Sequence, residues 1–437
     1  MTWLAVAAVL AWAYLLLWHG RFWSAGPGLP RALPSACPAV DVVIPARDEA
    51  EGIGAALRSL LAQDYPGPLH IFVVDDGSTD GTGAVARALV PPQHPSLRAA
   101  WGAAIQGPNA PTPVLPTPVL PTPVLAPSGL PRRYAPGNDG GGGGPEVSLT
   151  VLDGQPRPPG WSGKLWAVSQ GVAHAGAGLI LLTDADIVHD PAHVSALVAK
   201  AERDGLDLVS EMVELRCRSL AERALVPAFV FFFQLLYPFA AVNDPMRGIA
   251  AAAGGTMLLR RRALDRIGGI AAVRGALIDD VALAAAVKRG GRIWLGHSTL
   301  ARSVRPYPGA ADIWRMVART AYVQLRRSPV ILAGTVLGLA LVWLAPPGLA
   351  LFGHGWARGL GAAAWAGSAL SYVPTLRRFR QSPAWALALP GIACFYMAAT
   401  LGSAWDHHRG RGVVWKRRAY RGAQARGDAQ AYRDAQA

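Results

Sequence analysis

Four acidic clusters in this chain each follow a short apolar run, and their order suggests chemistry. They are Pro45-Ala46-Arg47-Asp48-Glu49, then Asp75-Asp76-Gly77-Ser78-Thr79-Asp80-Gly81-Thr82, then Thr183-Asp184-Ala185-Asp186, and last Asp279-Asp280. One helix cap does not need two adjacent acids. Asp75 and Asp76 therefore read as acceptors for a base N–H or for ribose hydroxyls, while Ser78 and Thr79 suit capping of the next helix. Asp184 and Asp186, in alternate positions, repel each other unless a cation or hydrogen-bond donors separate them. A few oxygen ligands suit Mg2+ or Mn2+ shared with substrate phosphates. Asp279 and Asp280 precede the helical run Val281–Arg289, where acids complement the helix dipole. One of them, kept ionised by its neighbours, would also serve as a general base toward a hydroxyl nucleophile.

Two basic features accompany the acids. Trp161-Ser162-Gly163-Lys164 places a lysine at a loop-to-helix junction, where ammonium and helix N-terminus together favour a phosphate. Lysine is scarce here, at positions 164, 200, 288 and 416 only, so its retention at 164 suggests a need for a point charge. Arg315 and Arg319 share a helix face at i,i+4. They suit a leaving diphosphate or lipid headgroups, and nothing in the sequence separates the two.

These groups need a scaffold that brings distant segments to one edge. Val40–Pro45, Leu69–Asp75, Val147–Leu152, Leu179–Thr183 and Asp207–Leu215 read as strands, and Glu51–Gln63 and Lys164–Ala175 as helices. Strands alternating with helices predict an α/β fold with a mainly parallel central sheet. In such sheets ligands bind beyond the carboxyl ends of the strands, where all four clusters fall.

The flanks differ. Thr2–Trp18 is apolar and uncharged, with Arg21 and Arg31 after it, which predicts an N-terminal anchor over 1–20 with the following chain in the cytoplasm. A domain is expected over 38–328. It is interrupted at 107–145 by a thrice-repeated Pro-Thr-Pro-Val-Leu and a Gly run, which read as a disordered insertion. Leu220–Val242, crowded with phenylalanines and holding Pro227 and Pro238, reads as a broken helix in the membrane interface or as a core helix. Val330–Leu351, Trp356–Leu376 and Ala384–Trp405 are near span length, giving membrane helices over 329–405. A basic cytoplasmic tail, 406–437, follows. Three full spans would leave that tail outside, so one stretch is expected to be re-entrant or interfacial, with Pro346-Pro347 and Pro390-Gly391 as candidate breaks.

Composition agrees. Hydrophobic residues make up 51% and charged residues 16%, which excludes a disordered chain. The net charge of +14 is scattered or juxtamembrane, which disfavours nucleic acid as a partner and favours an anionic lipid face. No apolar stretch carries a midplane charge, which disfavours a transporter. Cys37, Cys217 and Cys394 are too far apart in sequence for a zinc motif or disulfide framework.

Taken in order, Val42–Glu49, Val73–Thr82, Gly163-Lys164, Thr183–Asp186, Gly254-Gly255 and Asp279-Asp280 resemble the family 2 glycosyltransferases of the nucleotide-diphospho-sugar (GT-A) fold, over about residues 40–325. The anchor, the Trp161–Lys164 segment and the hydrophobic C-terminal block look most like the bacterial hopene-associated (HpnB-like) subgroup. The resemblance implies that Pro45, Glu49 and Asp76 hold the base and ribose of a UDP-sugar, with Asp184 on the ribose or diphosphate side. It implies that Asp186 binds Mg2+ or Mn2+ and that Asp280 deprotonates an acceptor hydroxyl, inverting the anomeric carbon. Asp279 stands where the family usually has Glu. Of the processive members' Gln-x-x-Arg-Trp only Arg319 survives, which favours transfer of one sugar. The implied acceptor is a lipid such as a hopanoid, and the implied setting a bacterial inner membrane crossed more than once, with the catalytic domain facing the cytoplasm.

Overall fold

The computed structural model describes residues 1–90 and 146–409, and the backbone of 413–415 and 418–420. The insertion expected at 107–145 and most of the expected basic tail lie outside the described residues. Eight strands make one sheet: β1 (Val40–Ala46), β2 (Leu69–Asp75), β3 (Val147–Asp153), β4 (Leu179–Thr183), β5 (Ile187–His189), β6 (Leu208–Glu214), β7 (Thr256–Arg260) and β8 (Ile293–Ser303). Their spatial order is β3-β2-β1-β4-β7-β6-β8-β5.

The sheet is mixed, which corrects the expectation of a mainly parallel one. β3, β2, β1 and β4 run parallel. β7 then lies antiparallel between β4 and β6, and β5 pairs antiparallel with the far end of β8. An apolar run reveals a buried strand but not the direction of its neighbour. The antiparallel strand matters for function. Thr183 at the end of β4 pairs with Thr256 at the start of β7, so the Gly254-Gly255 turn arrives beside the Asp184–Asp186 loop.

Alternation along β1 sorts its side chains onto two cores. Val40, Val42 and Ile44 pack with Ile53, Leu57 and Leu60 of the Ala50–Leu61 helix and with Leu197 and Val198 of the His193–Arg203 helix. Val43 faces the other way, with Ile180 and Leu182, toward Leu165 and Val168 of the Gly163–His174 helix.

That second core continues into the apolar ends of the chain. The Leu220–Leu236 helix keeps Pro227 inside it, where the sequence suggests a break; only Pro238 ends the run. Its Phe231 is fully buried and lies 5.0 Å from Tyr372, while Phe232 lies 5.5 Å from Trp343 and 5.1 Å from Tyr396. The phenylalanines therefore join the sheet to the C-terminal helices, which favours the core reading of this segment. Trp12 of the N-terminal helix donates to the Val342 carbonyl at 2.8 Å and meets Trp343 edge-on.

Two helices, Pro329–Phe352 and Pro383–His408, are long and apolar enough to cross a membrane among the described residues. The Gly355–Arg378 helix, diluted by Gly, Ser and Arg358, is not one of them. Thr2–Leu17 is apolar but shorter, at 16 residues. Pro346-Pro347 do not break the first long helix. A π-helical turn at Ala340–Leu344 precedes them and frees the backbone groups that proline would clash with or leave unpaired.

Candidate active site

The loops after β1 and β2 clasp each other. Asp48, held at φ 48°, donates its N–H to Ser78 Oγ (3.0 Å) and accepts at Oδ1 from Thr79 N (2.9 Å). Ala50 N donates to Asp80 Oδ2 and Glu49 N to Thr82 Oγ1, at 2.9 and 2.8 Å. Ser78 and Thr79 thus fasten two loops together. They do not cap the Thr82–Arg87 helix, whose N-cap is Gly81. Asp75 turns into its own loop and accepts from Ser78 N at 2.9 Å, which gives it a local structural role. Asp76 is 4% exposed and lies against Arg47, which donates to the Asp76 carbonyl and stands 3.6 Å from its carboxylate.

Lys164 is the hub of the cleft. Ser162 caps its helix, accepting from Leu165 N at 3.3 Å, so Lys164 lies in the first turn as the sequence predicts. Its Nζ stands 3.0 Å from Asp184 Oδ1 and 3.2 Å from Asp279 Oδ2. Asp280 Oδ2 accepts from Gly254 N at 2.9 Å. A Cβ at 254 would stand 3.2 Å from that Oδ2 and 3.3 Å from Lys164 Nζ, so any larger residue would displace both charged groups by a few tenths of an ångström. Asp279 and Asp280 belong to the first turn of the Asp279–Lys288 helix. Asp279 lines a pocket with Lys164, Asp184, Gly254, Pro45, Thr183 and Met257. The structure therefore brings Pro45, Lys164, Asp184, Asp279 and Asp280 together from four separate segments.

The electrostatics follow. Burial pulls the Lys164 ammonium down, but Asp184, Asp279 and Asp280 outweigh it and hold the group well above its usual range. Burial and the charge of Asp279 push Asp280 up to about 6, against the pull of Lys164 and two backbone N–H groups. Burial raises Asp184 too, with Lys164 opposing.

Asp186 is engaged by residues that the sequence reading did not single out. Its Oδ2 accepts from Ser303 Oγ and from Arg305 Nε, each at 2.9 Å. The same guanidinium reaches Glu49 Oε1 at 2.5 Å. These partners arrive because β8 bulges between its Met212–His297 and Glu214–Arg302 pairings with β6 and there also pairs Ser303 with Ile187 of β5. A divalent cation still suits the donor set. Five carboxylates, Glu49, Asp184, Asp186, Asp279 and Asp280, meet two side-chain cations, Lys164 and Arg305. That excess of negative charge would repel a diphosphate unless another cation entered with it. No three His, Cys, Asp or Glu converge as a ligand set among the described residues. A cation there would take few protein oxygens and complete its shell with phosphate and water, as Mg2+ does.

Arg319 follows the Ala310–Ala318 helix and is exposed. It lies within electrostatic reach of Tyr307, beside Arg305, and makes no direct ion pair with the cleft acids among the described contacts. Arg315 pairs locally with Asp312 at 2.5 Å.

Comparison with known proteins gives a consistent class. The model of glycosyl transferase family 21 matches residues 145–426, more than half of the chain. That of glycosyl transferase family 2 matches residues 41–99. An N-acetylglucosaminyltransferase of Rhizobium meliloti (strain 1021) is 57% identical over 42 residues, 9% of this chain and 10% of that protein. The glycosyltransferase AglE of Haloferax volcanii is 43% identical over 56 residues, 13% and 18% of the two chains. The matches thus span only 10 to 18% of these relatives' length. Among solved structures, the mannosyltransferase PcManGT of Pyrobaculum calidifontis, in complex with GDP-Man and Mn2+, aligns over 93% of this chain and 99% of its own, at 19% identity and a TM-score of 0.49. TarS 1-349 of S. aureus in complex with UDP aligns over 86% and 93%, at 12% identity and a TM-score of 0.37.

Proposed function

The chain belongs to glycosyl transferase family 21, and on that premise we propose that it transfers a single sugar, with inversion, from a nucleotide-sugar to a hydroxyl of a membrane lipid. One observation carries the reading. Lys164 ties Asp184, on the donor side, to Asp279, whose neighbour Asp280 has the protonation behaviour of a base. Donor phosphate and acceptor hydroxyl would then meet across one ammonium.

The residues divide the work as follows. Pro45, Glu49 and Asp76 border the entrance for base and ribose, with Arg47 setting the Asp76 carboxylate and Asp75 shaping the loop. A UDP-sugar is the proposed donor. Lys164 and Asp184 hold the diphosphate end. Asp184 and Asp186 would hold Mg2+ or Mn2+, which when bound would offset charge on the leaving diphosphate. Asp280 takes the proton of the acceptor hydroxyl as that oxygen attacks the anomeric carbon from the face opposite the leaving group. Its carboxylate is fixed by Gly254 N, so little reorganisation is needed when charge develops. Asp279 keeps Lys164 oriented. Arg319 guards the rim near Tyr307.

A lipid acceptor, a hopanoid being the proposed one, is supported by the apolar C-terminal helices, which share one core with the catalytic sheet through Phe231 and Phe232. The two long apolar helices support a membrane setting; a bacterial inner membrane is the proposed one, and Arg21 and Arg31 after the first apolar run argue for a catalytic domain on its cytoplasmic side. Mass spectrometry of lipids from cells with and without the gene tests the reading. A glycolipid should be lost with the gene, restored by the wild-type chain and not by Asp280→Asn. An unchanged lipid profile, or full rescue by that variant, would sink it.

A further inference from the structure

Arg305 belongs to none of the acidic clusters, yet it joins two of them. Its guanidinium stands between Glu49, after β1, and Asp186, after β4, at 2.5 and 2.9 Å. The backbone is pinned on both sides. Val304 N donates to the Asp186 carbonyl at 2.9 Å, and Tyr307 N donates to Glu222 Oε1 at 2.7 Å. Ser219 Oγ holds the Tyr307 carbonyl at 3.2 Å. With its backbone fixed, the side chain is the part able to move, and it is 32% exposed at the mouth of the cleft.

Three properties make this bridge exchangeable. A planar guanidinium fork fits a diphosphate as well as a carboxylate. Only the guanidinium is well exposed, at 32%, against 15% for Glu49 and 9% for Asp186, so the carboxylates tolerate its departure only when another cation takes its place, which the divalent ion does at Asp186. A divalent cation approaching Asp186 finds Oδ2 already shared by Arg305 and Ser303, and two cations at one carboxylate repel each other.

We propose that Arg305 is a positioning residue that exchanges partners. Without donor it neutralises Glu49 and Asp186; with donor bound, its fork turns to the diphosphate while Asp186 passes to the divalent cation. This rests on the donor site described under Proposed function. It requires Arg305 to oppose the cation when no nucleotide is present and to assist the nucleotide when it binds. Removing the side chain must therefore shift the two affinities in opposite directions, which loss of a merely structural bridge would not do.

The test uses the full chain in detergent. Mn2+ binding without nucleotide is read by paramagnetic resonance, and UDP and GDP binding in Mn2+ by calorimetry. Arg305→Met should bind Mn2+ about tenfold more tightly and the nucleotide about tenfold more weakly. Mn2+ affinity that is unchanged or weaker in a folded Arg305→Met protein overturns the proposal. Should that variant fail to fold, Arg305→Lys carries the same comparison. A point charge covers only one of the two carboxylates, so both shifts keep their signs at smaller size, and their absence overturns the proposal. A wild-type chain that binds neither nucleotide overturns this proposal together with the donor site. Both shifts in the variant, together with a wild-type chain that transfers no sugar, overturn the reaction alone.

Discussion

Lys164→Met tests the link between the donor side and the base. In the wild-type protein Asp280 is raised to about 6, and Lys164 is one of the groups opposing that rise. A base must be deprotonated to act, so kcat at saturating donor should be full above this value and fall as pH drops through it. At pH 7 about nine tenths of a carboxylate with a pKa of 6 is ionised. An opposite charge within a few ångströms is worth about one unit or more. Removing it should move the acidic limb to about 7 or higher, leaving roughly half or less of the base ionised at pH 7. Methionine keeps most of the apolar stem, so the first turn of the Gly163–His174 helix should survive. The assay is the pH dependence of kcat, measured from 5 to 9 with donor raised to saturation so that weakened binding does not enter. An acidic limb that stays in place or moves downward in an active Lys164→Met enzyme would refute the electrostatic coupling.

Other perturbations give separate readouts. Gly254→Ala places a methyl 3.2 Å from Asp280 Oδ2 and 3.3 Å from Lys164 Nζ; transfer should fall by roughly tenfold to a hundredfold with little change in melting temperature, since sub-ångström misplacement acts on the reaction before the fold. Asp280→Asn should lower kcat by about 10²–10⁴-fold while the thermal melt stays near wild type, because a buried like charge beside Asp279 is removed. Glu222 is 1% exposed and accepts from Arg218 N, Ser219 N and Tyr307 N. Glu222→Gln sets an amide N–H against one of these donors and should cost about 1–3 kcal/mol, seen as a lower denaturation midpoint. Burial would raise this carboxyl, but the three N–H bonds and Arg216 prevail and lower it. Its contribution to stability is thus present above the unfolded carboxylate range and is lost as pH falls through the folded value; the Gln variant should flatten that acid dependence.

The first three acidic clusters were legible because strand ends are legible; Asp279-Asp280 instead follows a 3-10 turn at Ile270–Val273, and only its place at a helix start was written in the sequence. A buried apolar run such as Leu179–Thr183 announces its own termination, and the acids that follow it lie at a sheet edge whatever the topology. Lys164 was legible too, since the loop-to-helix junction at Trp161–Lys164 and the helical period after it fix its place near the helix start. Those local signals already bring Pro45, Asp184, Lys164 and Asp280 to one region. What they leave open is which neighbour each strand accepts. Nothing in Thr256–Arg260 states that it will run antiparallel between β4 and β6, yet that choice delivers Gly254 to Asp280. Nothing near Arg305 resembles a motif. The residue enters the site because β8 shifts register against its parallel partner β6 and its last three residues also pair with the three-residue β5. The fate of the phenylalanines was equally open, since an apolar face of a helix looks the same whether lipid or protein covers it. Local periodicity and chemistry are properties of a segment and are written in its residues. Strand direction, long-range pairing and the partner of a buried face are decided by the whole chain's packing, and here that packing alone placed Arg305 between Glu49 and Asp186.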